Sequence, residues 1–315
     1  MKRKLTVTIF FIAMAFSFAK AQKAENGKVI ITGSRFVYPL LDQWIAEFGK
    51  EYPEVKFRLI PRGGPNVDSA NLIINAHTLY ESEIKPGYKV VNISRYAILP
   101  VANAKSQLAK EAQEKGIKEA QLKKLFFKKY DPFAAKKVEK SNDKSAKPVL
   151  YTRAQKACAP TTFARNYGFE QDDIIGKPIG GDDKHLIVAI EKDTNGVTYN
   201  SLGLIYDLNT RQVKPGIAVL PIDLNNNGKL DDNEKFYNNL DEVIARLEQK
   251  TLSEIPVSFV NVSYPLNIDA SNKNLSLFLS WILENGQKFN HEYGYLDFEK
   301  NTLADQKEIL SQSTK

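Results

Sequence analysis

Short apolar strands alternate with an amphipathic helix across residues 28–93, and this alternation confines the chain to an open α/β architecture. Lys28 to Thr32 (KVIIT) reads as a buried strand that runs directly into Gly33-Ser34. Leu40, Leu41, Trp44, Ile45 and Phe48 then recur at helical spacing, opposite Asp42, Glu47 and Lys50, and Pro39 suits the first turn. Val55 to Ile60 alternates as a second strand, and Arg62-Gly63-Gly64-Pro65 is a turn. Leu72-Ile73-Ile74 and Lys89 to Ile93 supply two further strands. In a β-α-β-(α)-β-β unit of this kind, ligands bind where strand ends meet helix N-termini.

Beyond this unit Tyr96 to Val101 (YAILPV) is extended, and residues 102–147 turn helical and lysine-rich. Interleaved Leu125, Phe126 and Phe127 make Lys123-Lys124, Lys128-Lys129 and Lys136-Lys137 the solvated face of a packed helix rather than a binding patch. A second α/β unit is expected, with strands near Val149–Thr152, Leu186–Ile190 and Leu202–Tyr206. Val257 to Val262 and Tyr264-Pro265-Leu266 are again extended. Asn274 to Tyr295 is helical, with Gly286 as a break. No internal repeat is present.

The first 21 residues have the order of a secretory signal. Lys2, Arg3 and Lys4 precede an apolar run from Leu5 to Phe18, and Ala19-Lys20-Ala21 supplies the small residues of a cleavage site. A mature chain beginning near Gln22, outside the cytoplasm, is expected. Residues 1–21 hold four basic and no acidic residues, so removing them lowers the net charge from +7 to +3. That balance does not call for nucleic acid. The single cysteine, Cys158, excludes an intramolecular disulfide, so stability must come from the core or a bound ion.

Three motifs carry a resemblance. ITGS-x-F-x-YPLLDQW (residues 31–44) and Tyr264-Pro265-Leu266 with FLSWILENGQKFNHEYGY (residues 278–295) are similar to the opening and closing elements of phosphate-type periplasmic binding proteins. The Arg62-Gly63-Gly64 turn sits where that family has a Ser/Gly-rich turn. The resemblance implies a type 2 periplasmic-binding-protein-like fold: two α/β lobes joined by crossover strands, here Tyr96–Val101 and Asn261–Leu266, closing on an oxyanion. The first lobe would comprise residues 22–100 and 261–315, and the second residues 101–260. The resemblance also implies a monomer in the periplasm that delivers its solute to an ABC transporter permease.

A dehydrated anion needs backbone N–H groups at helix starts, hydroxyl donors and at least one cation. Gly33 and Ser34, with Arg35 adding charge, meet that need in the first lobe, and Gly64 would let the backbone approach a ligand. In the second lobe Arg153 and Thr161-Thr162-Phe163 resemble the family's Arg-x-x-x-Ser-Gly-Thr-Thr-Phe pattern. The segment departs from it: RAQKACAPTTF lacks the Asp after the arginine and the Ser-Gly before the threonines. Asn71, Asn75 and His77 stand where an acidic acceptor is expected. Ligand identity therefore stays open, and Lys156 would favour a more fully ionised or bulkier anion. His77 reads as a structural histidine, and Cys158 beside Ala157 and Ala159 as packing.

Residues 223–234 (DLNNNGKLDDNE) meet every position of a calcium loop. Asp223, Asn225 and Asn227 take positions 1, 3 and 5, and Gly228 position 6. Lys229 would contribute its carbonyl, Asp231 would act directly or through water, and Glu234 would close the site bidentately. A strand, Gly216 to Ile222, precedes it, so the motif is a single EF-hand-like loop suited to structural calcium. No HExxH, zinc-type Cys/His spacing, G-x-S-x-G elbow or P-loop is present, and the chain reads as a binding protein rather than an enzyme. The competing class is a ligand-free binding-protein fold repurposed as a calcium-stabilised adhesion or scaffold module.

Overall fold

Two long antiparallel strands form the spine of the computed structural model, which describes residues 28–64, 67–128, 147–266 and 273–312. The signal segment 1–21, the expected start at Gln22, Pro65 and the lysines Lys129, Lys136 and Lys137 lie outside the described residues.

In chain order the strands are β1 (Val29–Gly33), β2 (Phe57–Leu59), β3 (Leu72–Asn75), β4 (Tyr88–Asn103), β5 (Val149–Arg153), β6 (Lys177–Ile179), β7 (Gly196–Ser201), β8 (Ile217–Val219) and β9 (Val257–Pro265). The helices used below are α1 (Tyr38–Glu51), α2 (Gln107–Lys115), α3 (Glu119–Phe126), α4 (Cys158–Asn166), α5 (Lys184–Lys192), α6 (Leu202–Ile205), α7 (Leu240–Gln249), α8 (Lys273–Trp281) and α9 (Lys300–Ser311). The sheet order is β2-β1-β3-β9-β4-β7-β5-β6, with β8 also paired to β4.

The spine joins two halves. β9 pairs with β3 through Asn261–Ser263, within the first half, whereas Ile98–Ala102 of β4 pairs with β7 in the second. Between these points β4 and β9 pair with each other from Tyr88↔Pro265 to Ala97↔Val257, broken by an irregularity between Asn92 and Ser94. Such a bulge bends and twists a strand locally. The Asn92 N–H beside it donates to Gln306 Oε1 at 2.8 Å, which ties α9 to the bend.

Helix α1 follows the periodicity of its sequence, with Leu40, Leu41, Trp44 and Phe48 buried and Pro39 in the first turn. Phe48 meets Phe278 and Trp281 edge-on, and burying such a ring stabilises the fold by about 1.5–3 kcal/mol. Trp44 donates its indole N–H to the Gly286 carbonyl at 2.9 Å, anchoring the closing segment on the opening helix. α8 gives way to a π turn at Ile282–Gly286, where the sequence placed a break.

Two expected strands are corrected. Leu186–Ile190 belongs to α5, which buries Leu186, Ile187 and Ile190 on one face. Leu202–Ile205 is a helical turn, α6, and the strand lies just before it as β7, whose six residues are all buried. A short apolar run does not separate strand from helix by itself. Among the described residues no helix is long and apolar enough to cross a membrane.

Candidate functional site

The two halves meet over a cleft of about 650 Å³ lined by residues from both. From the first half come Gly33, Ser34 and Arg35, at the end of β1, and Arg62 and Gly63 after β2. Gly33 is required where it stands: its φ is +135°, and a Cβ there would lie 2.0 Å from the Ile74 carbonyl oxygen. Only this close approach brings Ser34 beside β3, where its N–H donates to Ile74 O at 3.0 Å. From the second half come Arg153, Lys156, Cys158, Asp182, Asp183 and Lys184.

Charge in the cleft is unevenly matched. Arg35 forms an ion pair with Asp182 across the two halves. Arg153 pairs with Asp183 at 2.7 Å, both side chains only 9% exposed, and the Arg153 Nε has no partner among the described residues. Burial raises the Asp183 carboxyl above the usual carboxylate range, and the Arg153 charge opposes that rise. Arg62 and Lys156 line the cleft with no ion pair among the described residues. A smaller cavity of about 170 Å³ adjoins it, lined by Arg62, Asn75, His77, Glu83, Lys156 and Thr161.

The contact between the halves centres on α4. Cys158, its first residue, lies under Ser34, whose hydroxyl donates to the sulfur at 2.7 Å. His77 Nδ1 lies 3.2 Å from the same sulfur, and its Nε2 faces Glu83 at 3.8 Å. Burial lowers His77 to about 4, with Glu83 pulling the other way, and burial pushes the Cys158 thiol up. Tyr96 on the spine donates its hydroxyl to the Ala76 carbonyl, and Thr162 Oγ1 donates to the same carbonyl at 3.1 Å. At the rim Arg165 reaches Glu83 at 3.0 Å, Glu170 at 3.2 Å and the face of Tyr80 at 3.8 Å.

The structure thus brings Gly33, Ser34, Arg35 and Arg153 to one cleft. Gly64 lies one residue beyond the cleft wall, where its N–H closes a turn on Pro61 O at 2.9 Å; Gly63 lines the cleft instead. Thr161 lines the smaller cavity with its hydroxyl turned back on Ala157 O at 2.8 Å, and Thr162 joins the halves. Arg62, Asp182 and Asp183 were not among the expected ligand contacts, and Lys156 was expected only to bias the site toward a more fully ionised or bulkier anion. A charged pair or a basic turn gives no sequence signal that separates a cleft wall from ordinary surface.

Away from the cleft, residues 223–234 form a turn closed by its own side chains. Asp223 accepts from the N–H groups of Asn227 at 3.1 Å and Gly228 at 2.7 Å. Asn225 Oδ1 accepts from Asn227 N, and Asn227 Oδ1 from Lys229 N at 2.8 Å. Glu234 accepts from Leu224 N at 2.8 Å and Asp231 N at 3.0 Å. Asn226 and Gly228 take positive φ, 58° and 81°, which lets the chain curl. Asp231 accepts from both Asn225 and Asn227 amides at 2.8 Å.

With this geometry in hand, the fold is that of the periplasmic-binding-protein-like class. A phosphate ABC transporter substrate-binding protein from Clostridium perfringens, solved with bound phosphate, superposes with a TM-score of 0.59 at 14% identity, covering 86% of this chain and 100% of its own. An ABC-type phosphate transport receptor from Vibrio cholerae gives 0.55 at 15% identity, covering 85% and 99%. A possible phosphate binding protein from Planctomyces limnophilus gives 0.53 at 15%, covering 92% and 99%. The chain matches no protein-family model and shows no significant similarity to a curated protein.

Proposed function

We propose that this is an exported solute-binding protein that captures phosphate or a related oxyanion between its halves for ABC-type uptake. The observation that carries this reading is a cleft lined from both halves by Arg35, Arg62, Arg153 and Lys156, of which Arg62 and Lys156 have no ion pair among the described residues. An anion bound there would give these cations a partner away from bulk water. Gly33 and Ser34 line the same cleft at the end of β1. The volume leaves room for an oxyanion with an organic group attached as well as for the bare ion. Gly33, Ser34, Arg35 and Arg153 are the assigned contacts, with Thr161 close by. The protein would bind its solute without transforming it and pass it to a membrane permease.

The loop at residues 223–234 is proposed to hold a structural calcium through Asp223, Asn225, Asn227, the Lys229 carbonyl, Asp231 and Glu234. Its support is a chain already curled so that these oxygens share one turn. Calcium would then oblige the Asn225 and Asn227 side chains to turn their oxygens inward and release Asp231.

Thermal shift on the mature chain tests both readings, using phosphate, sulfate, molybdate, tungstate and a phosphorylated sugar, each with calcium or a chelator. A ligand at a hundredfold excess over its Kd stabilises the fold by about 2.7 kcal/mol. An upward shift with an oxyanion supports capture. No shift with any of them, together with loss of stability on chelation, would favour the repurposed adhesion or scaffold module.

A further inference from the structure

The cleft holds one thiol among the described residues, and its surroundings come from both halves of the molecule. Cys158 opens α4 in the second half, whereas Ser34, His77 and Glu83 belong to the first. We propose that closure of the two halves assembles Cys158 and His77 into a thiol nucleophile that covalently captures a small electrophile carrying a carboxylate or phosphate.

Geometry supports each part of that assignment. His77 Nδ1 is 3.2 Å from the sulfur, within reach to take its proton. Glu83, 3.8 Å from Nε2, favours the tautomer with the proton on Nε2 and leaves Nδ1 free to accept. Glu83 is itself fixed by Arg165 and by the Tyr80 N–H at 2.9 Å, and the His77 carbonyl is held by Asn261 at 2.9 Å. Burial keeps the resting thiol protonated, and Ser34, which donates to the sulfur, and the start of a nine-residue helix would stabilise the thiolate as it forms. Around the pair stand Arg62, Lys156, Arg165 and Glu83 on the histidine side and Arg62 and Asp183 on the thiol side. The cleft that reaches Cys158 is also lined by Arg62, Arg153 and Lys156, so an anionic group would be held in the same cleft as the sulfur. The anion preference rests on the cleft cations of the proposed solute site; the thiol–imidazole pair does not.

Iodoacetate is the probe and iodoacetamide its neutral control. The sulfur forms a bond to the methylene carbon, the carbon–iodine bond breaks, iodide leaves with the electron pair, and the thiol proton passes to His77 Nδ1 and on to water. Modification of Cys158 in the folded chain is followed by mass spectrometry. Iodoacetate is expected to react about tenfold faster than iodoacetamide, and His77→Gln to slow both by about tenfold or more. Glu83→Gln serves as a second variant, slowing both reagents without removing the imidazole. Equal rates in the parent and both variants, or a folded thiol no faster than the urea-unfolded one, would overturn the nucleophile. Loss of the preference for iodoacetate alone would overturn the anionic class and count against the cation-lined solute site, with histidine dependence intact.

Discussion

Arg165 of α4 holds Glu83 of the opposite half at 3.0 Å, with its guanidinium also lying over the Tyr80 ring. One side chain therefore ties Glu83 and Tyr80 of the first half to the second across the rim of the cleft. Arg165→Ala is expected to lower stability by about 1.5–3 kcal/mol, the range for hydrogen bonds to charged groups. It should also enlarge the radius of gyration in solution scattering as the halves part. An unchanged radius and melting temperature would show that the rim contact does not hold the closed form.

The same rim sets an acid limit. Glu83 is lowered from 4.5 to about 2, so the stability it contributes is present above the unfolded value and lost as pH falls toward 2. His77 is lowered from 6.5 to about 4, so between those values the unfolded chain binds a proton that the folded chain does not. Stability should fall as pH drops through that window. Denaturant midpoints at pH 7, 5.5 and 4 check this, and His77→Gln should flatten the upper part of the decline.

Gly33→Ala probes the approach of β1 to β3. The new Cβ would meet the Ile74 carbonyl at 2.0 Å in a backbone conformation that side chains rarely adopt. A loss well above about 1 kcal/mol is expected, together with weaker oxyanion binding as Ser34 moves. A melting temperature within error of the parent would mean that the turn relaxes freely.

The first unit of this fold was legible because its residues obey one period at a time. Trp44 and Phe48 face inward at helical spacing, and β1 and β3 are continuous apolar runs. α5 was not legible as a helix, since LIVAI in isolation suits a buried strand equally well. The cleft was half legible. Gly33 and Ser34 announce a strand-to-helix turn, and Arg153 stood out through its resemblance to a known motif. The meeting of His77 with Cys158 was hidden, because the two are 81 residues apart and each is ordinary in its own neighbourhood. Only the packing of one half on the other makes them a pair.

Arg62→Ala removes from both cavities a cation that has no ion pair among the described residues. The dissociation constant for the proposed oxyanion ligand should rise about tenfold to a hundredfold, in line with the roughly 1.5–3 kcal/mol of a charged hydrogen bond. Calorimetric titration at low and high salt should show the variant's affinity to be less sensitive to ionic strength. Equal affinities would remove Arg62 from the site.

Glu234→Gln tests the loop at residues 223–234. In the parent chain a chelator is expected to lower the melting temperature and calcium to restore it. The variant should sit near the chelated value with or without calcium, since the closing ligand has lost its charge. A parent chain indifferent to chelation would leave the turn as a self-bonded Asn/Gly loop.

The bond from Asn92 to Gln306 puts the joint between the halves within reach of the outside of the molecule. Under the proposed function, a partner that grips or unravels α9 would change how stiffly the spine bends, and so how tightly a solute is held at a distance from where it sits. A receptor touching that helix could make the protein let go of its cargo without ever entering the cleft.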